Sequence, residues 1–169
     1  MDLFFLNGPL VNFQLELALR IAIAAVLAGF IGLERSIAGK HAGMRTYALV
    51  SMGSALFIVI GLVVQLFYPS TALDPSRIAA SVMIGIGFIG SGLAFLRSTG
   101  AQLGLDAGAS ELTTAAGIWV AAGVGVACGF GLYVLAALAA LFTILIFTIL
   151  MRVERVLERR FPERGVETI

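Results

Sequence analysis

The sequence predicts an all-α, polytopic membrane protein built as a bundle of five transmembrane helices. Three observations carry that reading. Of 169 residues, 60% are apolar and only 12% charged, against roughly 45–50% and about 25% in a soluble domain; mean hydropathy is +1.04. Uncharged runs reach the length needed to cross a bilayer, about 20 residues for roughly 30 Å of hydrocarbon. Lys and Arg gather on one side of the spans so defined.

The second and third spans are plain. Neither 46–67 nor 78–96 contains a charge, and each run is long enough to cross. The first is less direct. Its uncharged run, 21–33, is too short to cross. Extending it back to about 14 brings Glu16 and Arg20 into the membrane. They stand i, i+4 with the acid first, so they pair along one face. Either both snorkel to the headgroups, or they form a buried pair against another span.

Positions 112–151 also carry no charge. A single helix of about 40 residues would run about 60 Å, twice the membrane, so the run folds back. Cys128-Gly129-Phe130-Gly131 is the turn signal, giving spans of about 112–128 and 132–151. The membrane domain is thus 1–151, with a short basic tail, 152–169. The tail continues helically to about Phe161, with Glu154 and Glu158 spaced i, i+4, and suits an anionic lipid surface.

Five spans place Arg35, Lys40, Arg45, Arg97 and the five tail arginines on one side, nine of the eleven basic residues. That side is expected to be cytoplasmic, with the N-terminus out. A four-span chain would split this cluster. The N-terminal segment has no basic n-region or small-residue cleavage site and reads as mature sequence. Net charge is +1, which gives no global attraction to nucleic acid. Cys128 is the lone cysteine, so no intrachain disulfide or cysteine zinc cluster is expected.

Within this frame a few polar groups stand out. Glu34, Arg35, Lys40, His41 and Arg45 crowd one loop. At minimum they fix orientation. Gly43, Arg45 and Thr46 also open the second span, where unpaired N–H groups and the positive dipole end favour an anion. That anion is a lipid phosphate, a soluble anion, or the carboxylate of Glu34. Lone His41 reads as an exposed loop residue. Asp74-Pro75-Ser76-Arg77 reads as a helix start, Asp capping and Pro at the first position. Asp74, expected at the outer, periplasmic surface, is also the only obvious cation-attracting group near a span start. Arg77 reaches the headgroups, and Ser81 lies one turn farther on its face.

Small residues recur four apart, at Ala25–Gly29, Ala28–Gly32, Ser81–Gly85, Gly87–Ser91, Gly117–Ala121 and Gly125–Gly129. They predict close helix packing, with one face left for a second copy in a homo-oligomer. Thr113 and Thr114 are expected to cap the fourth span, and Trp119 to pack within it. No acidic group, Lys or His lies at the centre of a span, where ion carriers need them. No metal-ligand set, cofactor motif or nucleophile–base pair is visible, so no cofactor, metal or catalysis is expected.

Five segments together resemble the MgtC/SapB family of bacterial inner-membrane proteins. They are GLER at 32–35, AGMRTYALVSMGSALF at 42–57, DPSRIAA at 74–80, GIGFIGSG at 85–92, and LTTAAGIWVAAGVGVACGFGLY at 112–133. The resemblance covers about 17–150 and implies about five spans with a cytoplasmic C-terminus. It points to Glu34, Arg35, Gly43, Arg45, Thr46, Asp74, Arg77, Ser81, Thr113, Thr114 and Trp119 as membrane-signature positions. It implies a link to growth at low magnesium, stress and virulence, and, for the MgtC branch, restraint of the proton-driven ATP synthase. That branch carries a soluble C-terminal domain. Here the chain ends at Ile169, shortly after the last span, so a plainer SapB- or YhiD-like member is expected. The leading expectation is a non-enzymatic modulator of another membrane complex, linked to magnesium limitation or acid stress. The alternatives are a small cation transporter or channel acting as an oligomer, and a lipid- or anion-binding membrane protein.

Overall fold

A computed structural model describes residues 8–68, 74–101 and 108–160. Among them are five helices and no strand: α1 (Gly8–Ile37), α2 (Met44–Phe67), α3 (Pro75–Ala101), α4 (Gly108–Gly129) and α5 (Tyr133–Arg160). Four of these, α1, α2, α4 and α5, are long and apolar enough to cross a membrane. α3 has 27 residues and falls outside that group among the described residues. The tail beyond 160, and 102–107 of the α3–α4 connection, lie outside the described residues.

Two helix ends are closed by the same device. Gly39 at φ 69° and Gly131 at φ 80° take the left-handed conformation that glycine adopts without a Cβ penalty. Lys40 N–H bonds the Arg35 carbonyl at 3.0 Å, and Gly39 N–H the Ser36 carbonyl at 3.1 Å. Leu132 N–H bonds the Ala127 carbonyl at 2.8 Å, and Gly131 N–H the Cys128 carbonyl at 2.9 Å. These crossed pairs satisfy the last carbonyls of α1 and α4. The fold-back expected at 129–131 is therefore a short αL turn between two antiparallel helices.

α4 is the central element and touches all four others. Its Ile118, Ala121, Val124 and Cys128 are fully buried, together with Ala24, Ala28 and Ile31 of α1 and Tyr47 and Ala55 of α2. Small residues make this seam because helices in lipid gain by approaching closely rather than by leaving water. A Cβ on Gly125 would fall on the backbone of Ser51, and one on Gly32 would lie 2.6 Å from the Met44 Cα. The stripes Ala28–Gly32, Gly117–Ala121 and Gly125–Gly129 do pack as predicted. The stripe of α3 does not: at Gly85, Gly87 and Gly92 an added Cβ would meet nothing within 4 Å. Ile84 and Phe88 on the same helix are 76% and 80% exposed, so this face looks outward.

Candidate functional site

The ends of α1 and α5 and the starts of α2 and α4 meet on one side of the bundle, and a polar cluster is built there. Arg35 is 2% exposed and lies in the last turn of α1. Its Nε donates to Glu34 Oε2 at 2.6 Å and its Nη2 to Oε1 at 2.9 Å. This is a bidentate, charge-assisted pair, the strong form of the interaction. The guanidinium also sits 3.8 Å from the ring centroid of Phe147 on α5, close enough for cation–π attraction. Beside it Tyr47 of α2 is fully buried, and its hydroxyl donates to the Thr114 carbonyl of α4 at 3.4 Å. A Cβ on Gly117 would overlap both the Tyr47 hydroxyl and the Phe147 ring. Four helices are thus pinned round one arginine.

Glu34 lies at the edge of this cluster, its side chain 19% exposed. It opens onto a cavity of about 490 Å³ between the ends of α1 and α5, lined by Phe30, Leu33, Ile37, Thr148 and Arg152. The structure pairs Glu34 with Arg35 rather than with Arg45. Arg45 and Thr46 are exposed at the start of α2. Gly43, the residue before α2, has no capping side chain. Ser36 of α1 supplies the cap across the turn, accepting from Met44 N–H at 3.1 Å while donating to the Gly32 carbonyl at 3.0 Å. His41 is exposed.

The second arginine acts at the opposite end. Arg20 Nη2 bonds Glu16 Oε1 at 2.5 Å, and Nη1 donates to the Gly129 carbonyl at 3.1 Å. Its head lies against Gly131. The side chain of Arg20 is 19% exposed and that of Glu16 55%. The pair is therefore divided: the acid faces outward, while the cation satisfies the last carbonyl of α4, where the helix dipole is negative.

The helix start at 74 is as read from the sequence. Asp74 Oδ1 accepts from Ser76 N–H at 2.8 Å and Oδ2 from the Ser76 hydroxyl at 2.7 Å. These bonds, side chain first, hold its carboxyl below the usual value, with Arg77 adding in the same direction against a small desolvation. Arg77 is exposed, and Ser81 donates back to its carbonyl at 2.9 Å. Thr113 and Thr114 are not caps, because α4 begins at Gly108 and both lie inside it. Trp119 does not pack within the chain; it is 52% exposed on the outer face of α4. Among the described residues no three His, Cys, Asp or Glu side chains group as metal ligands would.

Tyr47 and Phe147 complete the cluster, and sequence reasoning missed both. Tyr47 follows directly on the flagged Arg45-Thr46 and could have been found by asking what faces α4. Phe147 is one of 12 phenylalanines and carries no signal of its own.

YhiD of Escherichia coli (strain K12), whose name gives magnesium transport as a provisional role, is 42% identical over 137 residues, 79% of this chain and 60% of that protein. SrpB of Synechococcus elongatus is 36% identical over 84% of the chain and 79% of its own length. MgtC of Brucella abortus is 38% identical over 86% and 56%. The chain thus spans little more than half of YhiD and MgtC. No solved structure matches it. The MgtC family profile matches residues 21–156, a stretch that contains the Arg35 cluster and the α2–α4 seam, and with the four apolar helices this makes the chain a multi-pass membrane protein that belongs to the MgtC family.

Proposed function

We propose that the protein is a non-enzymatic component of the bacterial inner membrane, with α3 as its fifth span, the N-terminus outside and the C-terminus in the cytoplasm. It works by binding and modulating another membrane complex during magnesium limitation or acid stress. One observation carries this reading. The buried charge of the bundle is closed on itself, since Arg35 donates to both oxygens of Glu34 and is roofed by Phe147. A carrier needs charged or polar groups that change partners at the midplane. The core between the two arginines is instead small and apolar residues in close contact, and its buried polar side chains, Ser51, Ser54 and Thr143, are uncharged hydroxyls. The polar surface lies at the flank, where Glu34 and Arg152 border one cavity between α1 and α5, a place for a partner to touch.

Purified protein in liposomes is expected to pass no Mg²⁺, H⁺ or K⁺, and crosslinking in native membranes is expected to capture a stoichiometric membrane partner. Robust flux with no partner would overturn the reading. It would favour the second one, a cation transporter or channel formed by several copies, which draws support from the carboxylate at that cavity and from the name of YhiD.

A further inference from the structure

α3 leans away from α2, and the gap between them is an apolar groove of about 590 Å³. Its walls are Val50, Gly53 and Phe57 on one side and Ser81, Gly85 and Ile89 on the other. The two helices close at one end, where a Cβ on Gly61 would overlap Ile78. From there the groove follows α3 from Ile78 to Ile89, about 16 Å along the helix axis. That is about half of the roughly 30 Å hydrocarbon thickness, the depth of one leaflet. Gly53 and Gly85 leave it open, since an added Cβ at either would touch nothing within 4 Å.

The charge just beyond its closed end says what lies along it. Ser81 lines the groove, and Arg77, four residues earlier, stands on the same helix face. Side chains on a helix lean toward its N-terminus, so the guanidinium lies beyond the apolar walls, at headgroup level. Asp74 lies there too, close enough for Arg77 to act on its charge. It is exposed, its oxygens accepting from Ser76. One cation and one anion therefore flank the end of a leaflet-deep apolar slot.

We infer that the α2–α3 groove holds one zwitterionic phospholipid of the ethanolamine class. One acyl chain lies along Gly53 and Gly85, the phosphate meets Arg77, and the ammonium meets Asp74. A purely anionic lipid satisfies Arg77 but sets its charge against Asp74.

The test is native mass spectrometry of the full chain released from nanodiscs of equimolar phosphatidylethanolamine and phosphatidylglycerol. The wild type should retain one phosphatidylethanolamine, in excess over phosphatidylglycerol by about fivefold, the ratio expected of one favourable surface charge. Asp74→Asn keeps the cap, since Asn caps as well as Asp, and should remove or invert that preference. Gly85→Leu and Gly53→Leu each project a side chain into the slot from a position where a Cβ meets nothing within 4 Å, and should abolish retention while the helical circular dichroism stays unchanged. An empty wild type, equal retention of the two lipids, or a leucine variant that keeps its lipid would overturn the assignment. So would a wild-type dimer that the leucine variants dissociate, because the occupant would then be a second copy.

Discussion

Arg35 is 2% exposed, and what tolerates a guanidinium there is local. Moving an ion of this size out of water costs several kcal/mol even after relaxation. Glu34 offsets that cost with two short bonds, and Phe147 with its ring face. Arg35→Met should therefore destabilise the bundle by about 3 kcal/mol, the cost of leaving one partner of a buried pair behind. Arg35→Lys should recover little, because an ammonium lacks the planar fork that spans both carboxylate oxygens. The double variant Glu34→Gln, Arg35→Met removes the orphaned charge and should be more stable than the single one. Reversible unfolding in mixed micelles measures all three, and equal stability of the single and double variants would refute the pairing as the source of the effect.

The element scale turns on which glycines touch a neighbour. Gly125 faces the backbone of Ser51, whereas Gly123, two residues earlier on the same helix, would offer a Cβ nothing within 4 Å. Gly125→Ala must push α2 from α4 and should cost about 1–3 kcal/mol, as overpacked sites do. Gly123→Ala should be neutral or gain up to about 1 kcal/mol from helix propensity. The same unfolding assay separates them, and equal effects would mean that the seam is not closely packed. This contrast also shows what the sequence could reveal. Small residues four apart marked the α2–α4 seam, and the glycine pair at 129–131 marked the α4–α5 turn, because both signals are local. The identical pattern on α3 faces outward; periodicity tells that a face is smooth, not what lies across it. The Glu34–Arg35 pair was obscured for a related reason. Adjacent residues on a helix do not face each other, so the sequence directed attention to Arg45, whereas Arg35 turns inward onto Phe147 and draws Glu34 with it. That inward turn depends on α5, more than a hundred residues away.

At the scale of the whole molecule the two arginines mark the limits of the apolar core. Arg20 and Arg35 are fifteen residues apart on α1, about 22 Å along the axis, inside the roughly 30 Å of hydrocarbon. Each bonds within the chain, Arg20 to the end of α4 and Arg35 to Glu34, although Arg20 Nε is buried without a partner among the described residues. The bundle is thus closed at both ends by internal bonds, and the loops beyond are left to set its direction. The end with Arg35 also carries Lys40 in its short turn and Arg45 at the start of α2, while the α4–α5 turn at the other end carries no basic residue. The excess of positive charge should hold the first of these in the cytoplasm. Cys128 is buried, so a new surface thiol can be read against a silent background. His41→Cys, exposed in the α1–α2 turn, should react with a membrane-impermeant maleimide only after permeabilisation. Leu132→Cys, half exposed in the α4–α5 turn, should react in intact cells. The reverse pattern would place the Arg35 cluster and its flanking cavity on the outer surface, where no cytoplasmic part of a partner complex could reach them.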